Sequence, residues 1–264
     1  LSISGTFSPS GTNTVQYTGS SATVAAATYY NLTVGGSGTY TSGGAITSNN
    51  LTLTGGTFTA PSGNLTINGD FTNNGTFTHN SGTVVIAPTA TSLTSNILGT
   101  SGVAFNNLTD TTAGSTLAFK TGNTYSFAGT LTATGTTGAP VFLKSDSSGS
   151  QWTVTFNATP ALNFVRVKDA ACSGGNTLTQ NLKLFNAGNN GACWGFIKFG
   201  GDSNTGSVGG SNGGSGASSG GGGSSGGTGS DGLPVTTNSG ARSPGTAAND
   251  AAVGSSPWSS TSNA

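Results

Sequence analysis

The 264-residue sequence contains no methionine, no glutamate, one histidine, two cysteines and only 5% charged residues. Each scarcity excludes something. Helices rely on Glu, Met, Lys, Leu and Ala, which lose little side-chain freedom there, so this chain is not built from helices. With His79 alone, a histidine-based catalytic or metal site has no second imidazole to draw on. Formal net charge is zero and no Lys or Arg precedes Lys120, which leaves no electrostatic footprint for nucleic acid or an anionic membrane. No apolar run approaches the ~20 residues a membrane helix needs, and no membrane insertion is expected. Four basic residues from Lys144 to Lys183 are spread out and interleaved with Asp146 and Asp169. They read as solvated rim charges.

The chain is rich in Gly, 46 in all, with Ser, Asn and Thr between short runs of Val, Ile, Leu and Phe. That mixture suits short strands and tight corners. The order is periodic. Gly-Thr-aromatic recurs at Gly38-Thr39-Tyr40, Gly56-Thr57-Phe58 and Gly75-Thr76-Phe77, in steps of 18 and then 19. Ile46, Leu65 and Val84 are each 19 apart, and Leu32, Leu51 and Phe71 are separated by 19 and 20. Three interleaved series sharing one period mark a solenoid, whose units bury their apolar faces only against neighbours. The fold expected is all-β: a right-handed parallel β-helix with three short strands per coil of ~18–20 residues, stacked ~4.8 Å apart.

Alternation within each segment assigns the inside. Leu51, Leu53, Leu65, Ile67, Phe71 and Phe77 face the bore, as do Val84 and Ile86, while Thr52, Thr54, Thr66 and Thr72 face water. Further on, Trp152, Val154 and Phe156 alternate with Thr, and Val165 and Val167 alternate with Arg166 and Lys168, so these five apolar residues are also internal. Residues 1–199 form the β-helix, regular over 1–110 and less regular over 111–199. At ~20 residues per coil they make roughly 10 coils. Residues 200–264, rich in Gly and Ser, read as a disordered linker or tail with too little apolar surface to offset the entropy of ordering. The start at Leu1, already strand-like, suggests a processed chain or a fragment of a longer solenoid.

The spacing from Cys172 to Cys193 is about one coil. Residues one coil apart lie at strand spacing, within the Cα range of a disulfide. A bridge between adjacent coils is expected, and with it an oxidising compartment. Chemistry is otherwise sparse, and no catalytic residue, cofactor or metal site is assigned. His79 follows a strand and reads as a surface turn residue. The nucleophile-elbow spellings Gly209 to Gly213 and Gly222 to Gly226, and the dinucleotide-type spelling Gly227 to Gly232, sit in the Gly/Ser tract without a flanking strand and helix. Gly226 to Pro234 spells one calcium-type nonapeptide, where calcium would need stacked copies. Asp70, Asp110, Asp146 and Asp169 are each separated from the next by more than the repeat, and an enzyme would need stacking to bring two together. Asn-x-Thr at Asn31, Asn50, Asn64, Asn74, Asn107 and Asn157 spells glycosylation acceptors but reads as a corner Asn repeated by the coil. Thr pairs at Thr52/Thr54, Thr57/Thr59 and Thr76/Thr78 raise an ice-binding array, although by their sequence positions the pairs do not stay on one face.

The run from Asn64 to Ile86 resembles repeats of bacterial secreted and cell-surface β-helix proteins, the adhesin-like and autotransporter-passenger-like families. The run from Gly138 through Val165-Arg166-Val167-Lys168-Asp169 to Trp194-Gly195-Phe196 resembles modules that close such rods. The resemblance implies an extracellular or cell-surface, non-enzymatic adhesive or structural rod with no catalytic residues to transfer. Expected partners are further copies of itself, other surface proteins or glycans. A carbohydrate-active β-helix enzyme is the alternative from another class.

Overall fold

The computed structural model describes residues 11–89 and 93–197. The chain divides into units 1–211 and 212–264, and every described residue belongs to the first. The Gly/Ser-rich segment 200–264, and the motif spellings within it, lie outside the described residues.

The described residues form 22 strands and one short 3-10 turn, and every strand pair is parallel. The first coil contributes β1 (Thr14–Tyr17) and β2 (Ser21–Val24). In the next two coils β3 (Thr28–Val34) and β5 (Ile46–Leu53) each turn a corner within one long strand, followed by β4 (Thr39–Ser42) and β6 (Thr57–Thr59). The fourth coil is β7 (Asn64–Ile67), β8 (Phe71–Asn73) and β9 (Thr76–Thr78). The fifth is β10 (Thr83–Ile86), β11 (Thr94–Gly99) and β12 (Ala104–Phe105). The sixth is β13 (Asn107–Asp110), β14 (Thr116–Phe119) and β15 (Thr124–Phe127). The seventh is β16 (Leu131–Thr134), β17 (Val141–Ser145) and β18 (Trp152–Phe156). The eighth is β19 (Ala161–Asn163), β20 (Val165–Lys168) and β21 (Ala170–Gly175). A partial ninth holds β22 (Leu184–Asn186) and the turn Ala192–Trp194.

Stacking sorts these strands onto three faces. On the first, β7, β10, β13, β16 and β19 follow the front half of β5. On the second, β1 and β3 lead through the back half of β5 to β8, β11, β14, β17, β20 and β22. The third carries β2, β4, β6 and β9, then β12, β15, β18 and β21. This is a parallel, solenoid-like arrangement. Ser48, fully buried at the corner of β5, donates its hydroxyl to the Asn50 carbonyl at 2.6 Å, so the bend supplies its own polar partner.

The pitch changes along the chain. Val15, Leu32, Leu51 and Phe71 stack at steps of 17, 19 and 20, whereas Phe71, Ile97, Phe119 and Ser145 stack at steps of 26, 22 and 26. Coils longer than the early repeat thus appear already after Phe71, earlier than position 111, and eight coils and part of a ninth occupy the described residues. The surplus enters mostly between strands, and the ladders keep register except where β18 meets β21, which has a bulge between Val154 and Phe156. Alternation within Leu182 to Leu184 reads as a strand, but the strand lies two residues later at Leu184–Asn186, with Leu182 75% exposed.

Inside, Leu51, Leu53, Leu65, Ile67, Phe71, Phe77, Val84 and Ile86 are all buried, as are Trp152, Val154, Phe156, Val165 and Val167. They belong to one continuous core. Aromatic rings stack through its later part, with Phe119 on Trp152 at 4.1 Å between centroids and Phe105, Phe127 and Phe156 in succession at 5.7 and 5.9 Å. Such offset contacts add to the burial of large apolar area. Two corners of the eighth coil are single residues in the left-handed region, Phe164 (φ 52) between β19 and β20 and Asp169 (φ 55) between β20 and β21. At Gly99 (φ +140) a Cβ would fall 1.9 Å from the Asn73 carbonyl oxygen, so the coils approach too closely there for any side chain.

Candidate functional site

Corners break the sheet ladder and leave backbone groups that must find other partners. On the second face Asn and Asp side chains supply them. Asn50 Nδ2 donates to Asn31 Oδ1 at 2.9 Å, the Asp70 backbone N–H donates to Asn50 Oδ1 at 2.8 Å, and Asn96 donates both its backbone N–H (2.8 Å) and Nδ2 (2.9 Å) to Asp70 Oδ1. Four coils are linked by one polar ladder. Asn107 Oδ1 likewise accepts from the Thr130 N–H at 2.8 Å. Asn31, Asn50 and Asn107 are therefore engaged in the coil; Asn74 is exposed yet its Oδ1 accepts from the Thr100 N–H at 3.1 Å, and Asn64 and Asn157 are exposed. His79 is half-buried just after β9, and its Nδ1 accepts from the Ser81 N–H at 3.0 Å.

The third face bears threonines in register. Thr39, Thr57 and Thr76 stand in one register column and Thr41, Thr59 and Thr78 in the next, continued backward by Ser21 and Thr23. Thr57/Thr59 and Thr76/Thr78 therefore do share a face, together with Thr39/Thr41. Thr52 lies on the second face, in register with Thr33 and Thr72.

The carboxylates are dispersed. Asp110 is 1% exposed and points inward from β13, accepting from the Thr112 N–H at 2.9 Å and the Ser115 hydroxyl at 2.7 Å. Burial raises its pKa above the ordinary carboxylate value, with those hydrogen bonds opposing in part. Burial likewise pushes the Tyr125 phenol up to about 12, while its hydroxyl donates to the Ile97 carbonyl at 2.8 Å. Among the described residues no group of three or more His, Cys, Asp or Glu could hold a metal ion.

Asp146 and Asp169 do meet in one place, a cleft of about 350 Å³ on the second face that is also lined by Phe142, Lys144, Arg166 and Lys168. Both carboxylates are already occupied. Asp146 accepts from Lys120 Nζ (3.1 Å) and the Thr121 N–H (2.7 Å), and Asp169 from the Gly149 N–H (3.1 Å) and Asn189 Nδ2 (2.8 Å). Lys144 and Lys168 are register partners, as are Phe142 and Arg166. The coils thus gather onto one surface three of the four basic residues that look scattered in sequence, Lys144, Arg166 and Lys168. The Arg166 guanidinium lies 4.9 Å from the Phe142 ring centroid.

Near the last coil Cys172 and Cys193 are joined by a disulfide, with Cα atoms 6.0 Å apart. Trp194 is fully buried beside it and donates Nε1 to the Ala170 carbonyl at 3.2 Å. Bridge and indole together fasten the ninth coil onto β21. The fold and these surfaces define a disulfide-closed parallel β-solenoid-like protein. No family model, curated protein or solved structure matches the chain.

Proposed function

We propose that this chain is a non-enzymatic extracellular or cell-surface element, a right-handed parallel β-helix rod with an adhesive or structural role that assembles end to end. The right-handed sense follows the preference of parallel crossover connections. The observation that carries the reading is the parallel register maintained from β1 to β22, which directs apolar side chains inward. From Ser20 to Pro88 the surface it leaves outside is mostly Thr, Ser, Asn and Gly. The Cys172–Cys193 bridge supports an oxidising location. Assembly follows from the architecture, since the end coil of a stack of parallel strands can pair its backbone with a strand of another copy. Sedimentation velocity across a wide concentration range tests it: concentration-dependent, elongated oligomers are expected, and a strictly monomeric species at high concentration removes the assembly.

The occupied state of Asp146 and Asp169 weighs against a polysaccharide-cleaving enzyme, which needs one carboxyl free to act as acid and one as base or nucleophile. Release of reducing ends from uronic-acid or neutral glycans would reverse that judgement. A second reading is favoured by the paired Thr columns of the third face. Hydroxyls repeat there ~4.8 Å along each column and ~6.7 Å across the strand, a regular grid of the kind that could bind ice. Thermal hysteresis and faceted ice growth are its signature, and their absence in concentrated protein discards it.

A further inference from the structure

The cleft of about 350 Å³ between β17 and β20 holds more cationic charge than its own carboxylates neutralise. Register sets Lys144 beside Lys168 and Arg166 beside Phe142, one strand spacing apart, so the three cations repel one another. Among the described residues none of the three has an ion-pair partner, and Asp146 is committed to Lys120. The heads are nonetheless positioned. Lys168 Nζ donates to the Ser148 hydroxyl at 3.0 Å, and the Arg166 guanidinium is held over the Phe142 ring. Phe185, the register partner of Arg166 on the next coil, is 41% exposed.

We propose that this cleft binds the carboxylate groups of an acidic polysaccharide, a chain of uronic-acid sugars. The proposal rests on the extracellular adhesive reading and names the chemistry of the adhesion target. A planar guanidinium matches a carboxylate through two parallel hydrogen bonds, which an ammonium cannot do. Flanking lysines at strand spacing meet the charge of neighbouring sugars, and the exposed ring of Phe185 offers an apolar platform to a sugar face. Nucleic acid is disfavoured by the confinement of the cations to one short patch and by their interleaving with Asp146 and Asp169.

Affinity electrophoresis of the full chain at low salt through gels containing polygalacturonate, neutral dextran or single-stranded DNA tests the assignment. Retardation by polygalacturonate alone is expected. The double variant R166Q/K168Q should weaken it by roughly tenfold or more, the effect of losing charge-assisted hydrogen bonds. Lys183→Gln removes a cation that does not line the cleft and should change it less than about twofold. If the double variant fails to fold, hydrogen exchange of the unaltered chain replaces it: polygalacturonate should slow exchange around β17 and β20 and leave β4 and β6 unchanged. No retardation by polygalacturonate, equal retardation by DNA, or equal loss in Lys183→Gln overturns the proposal. The two readings fail separately. Concentration-dependent oligomers without polygalacturonate binding remove only the cleft, and cleft binding by a chain that stays monomeric and adheres to no surface removes only the rod.

Discussion

Coils one to four and coils six to nine solve the same stacking problem by different means. The early coils keep a short, nearly constant repeat, carry no Lys or Arg, and lock their corners with amide ladders such as Asn31–Asn50–Asp70. The later coils are longer and less even, contain all five described basic residues, and are held by large rings and a covalent bridge. Where every coil is alike, each strand could slip by one coil and meet nearly the same neighbour, so register depends on small polar contacts. Where coils differ, bulky unique side chains such as Trp152 and Trp194 fit in one place. Irregularity here supplies specificity that repetition lacks.

This contrast can be broken from the later side first. Trp152 is fully buried against Phe119, and replacing it with Ala should cost about 3–5 kcal/mol, read as a drop in urea midpoint. Among the described residues its indole Nε1 has no hydrogen-bond partner, so Trp152→Phe removes an unsatisfied donor and should cost distinctly less. Loss of the bridge comes next. Cys172→Ser with Cys193→Ser should cost about 3 kcal/mol by loop entropy. Because coils touch only their neighbours, hydrogen exchange should quicken around β21 and the Ala192–Trp194 turn and remain unchanged in β5 and β7.

The early side sharpens the comparison with smaller effects. Asn50→Ala removes two ladder contacts and leaves the Asp70 N–H without its acceptor, a cost of about 1–3 kcal/mol in thermal or urea unfolding. Thr59→Val, on the solvent side of the third face, should move stability by less than about 0.5 kcal/mol.

Asp110 adds a test by pH. Its folded carboxyl binds the proton more tightly than the unfolded one, so between the two pKa values the native state holds more protons. Its contribution is therefore full below the ordinary value of 3.8 and is lost as pH rises through the raised folded value. Asp110→Asn should flatten that part of the stability profile in urea titrations carried from acid to neutral pH. An unchanged slope would show that the buried carboxyl does not titrate as described.

Much of the architecture is legible because period-two alternation states which side of a strand is buried. Leu51, Leu65 and Phe71 can be assigned from spacing alone, and the gap between the cysteines matches one coil. Surface chemistry is less legible. Lys144 and Lys168 stand further apart in sequence than the early period, so nothing local marks them as neighbours. The threonine pairs divide as expected, since Thr52 stands on the second face, but that Thr39, Thr57 and Thr76 form one column is plain only from the strand register. Asp110 follows Leu108-Thr109 at an inward position, and alternation could have flagged it. Its partners Thr112 and Ser115 lie in the following turn, a local arrangement that spacing rules do not capture.

Because surplus residues collect at corners while strands keep their alignment, the seam between β17 and β18 is a natural splice point. Residues 146 to 151 there are all exposed. Foreign peptide introduced there in a way that spares the Gly149 and Ser148 contacts to Asp169 and Lys168 would be carried outward while the strands keep their places, so new recognition loops can be grafted, by selection or by a protein engineer, without refolding the spine that displays them.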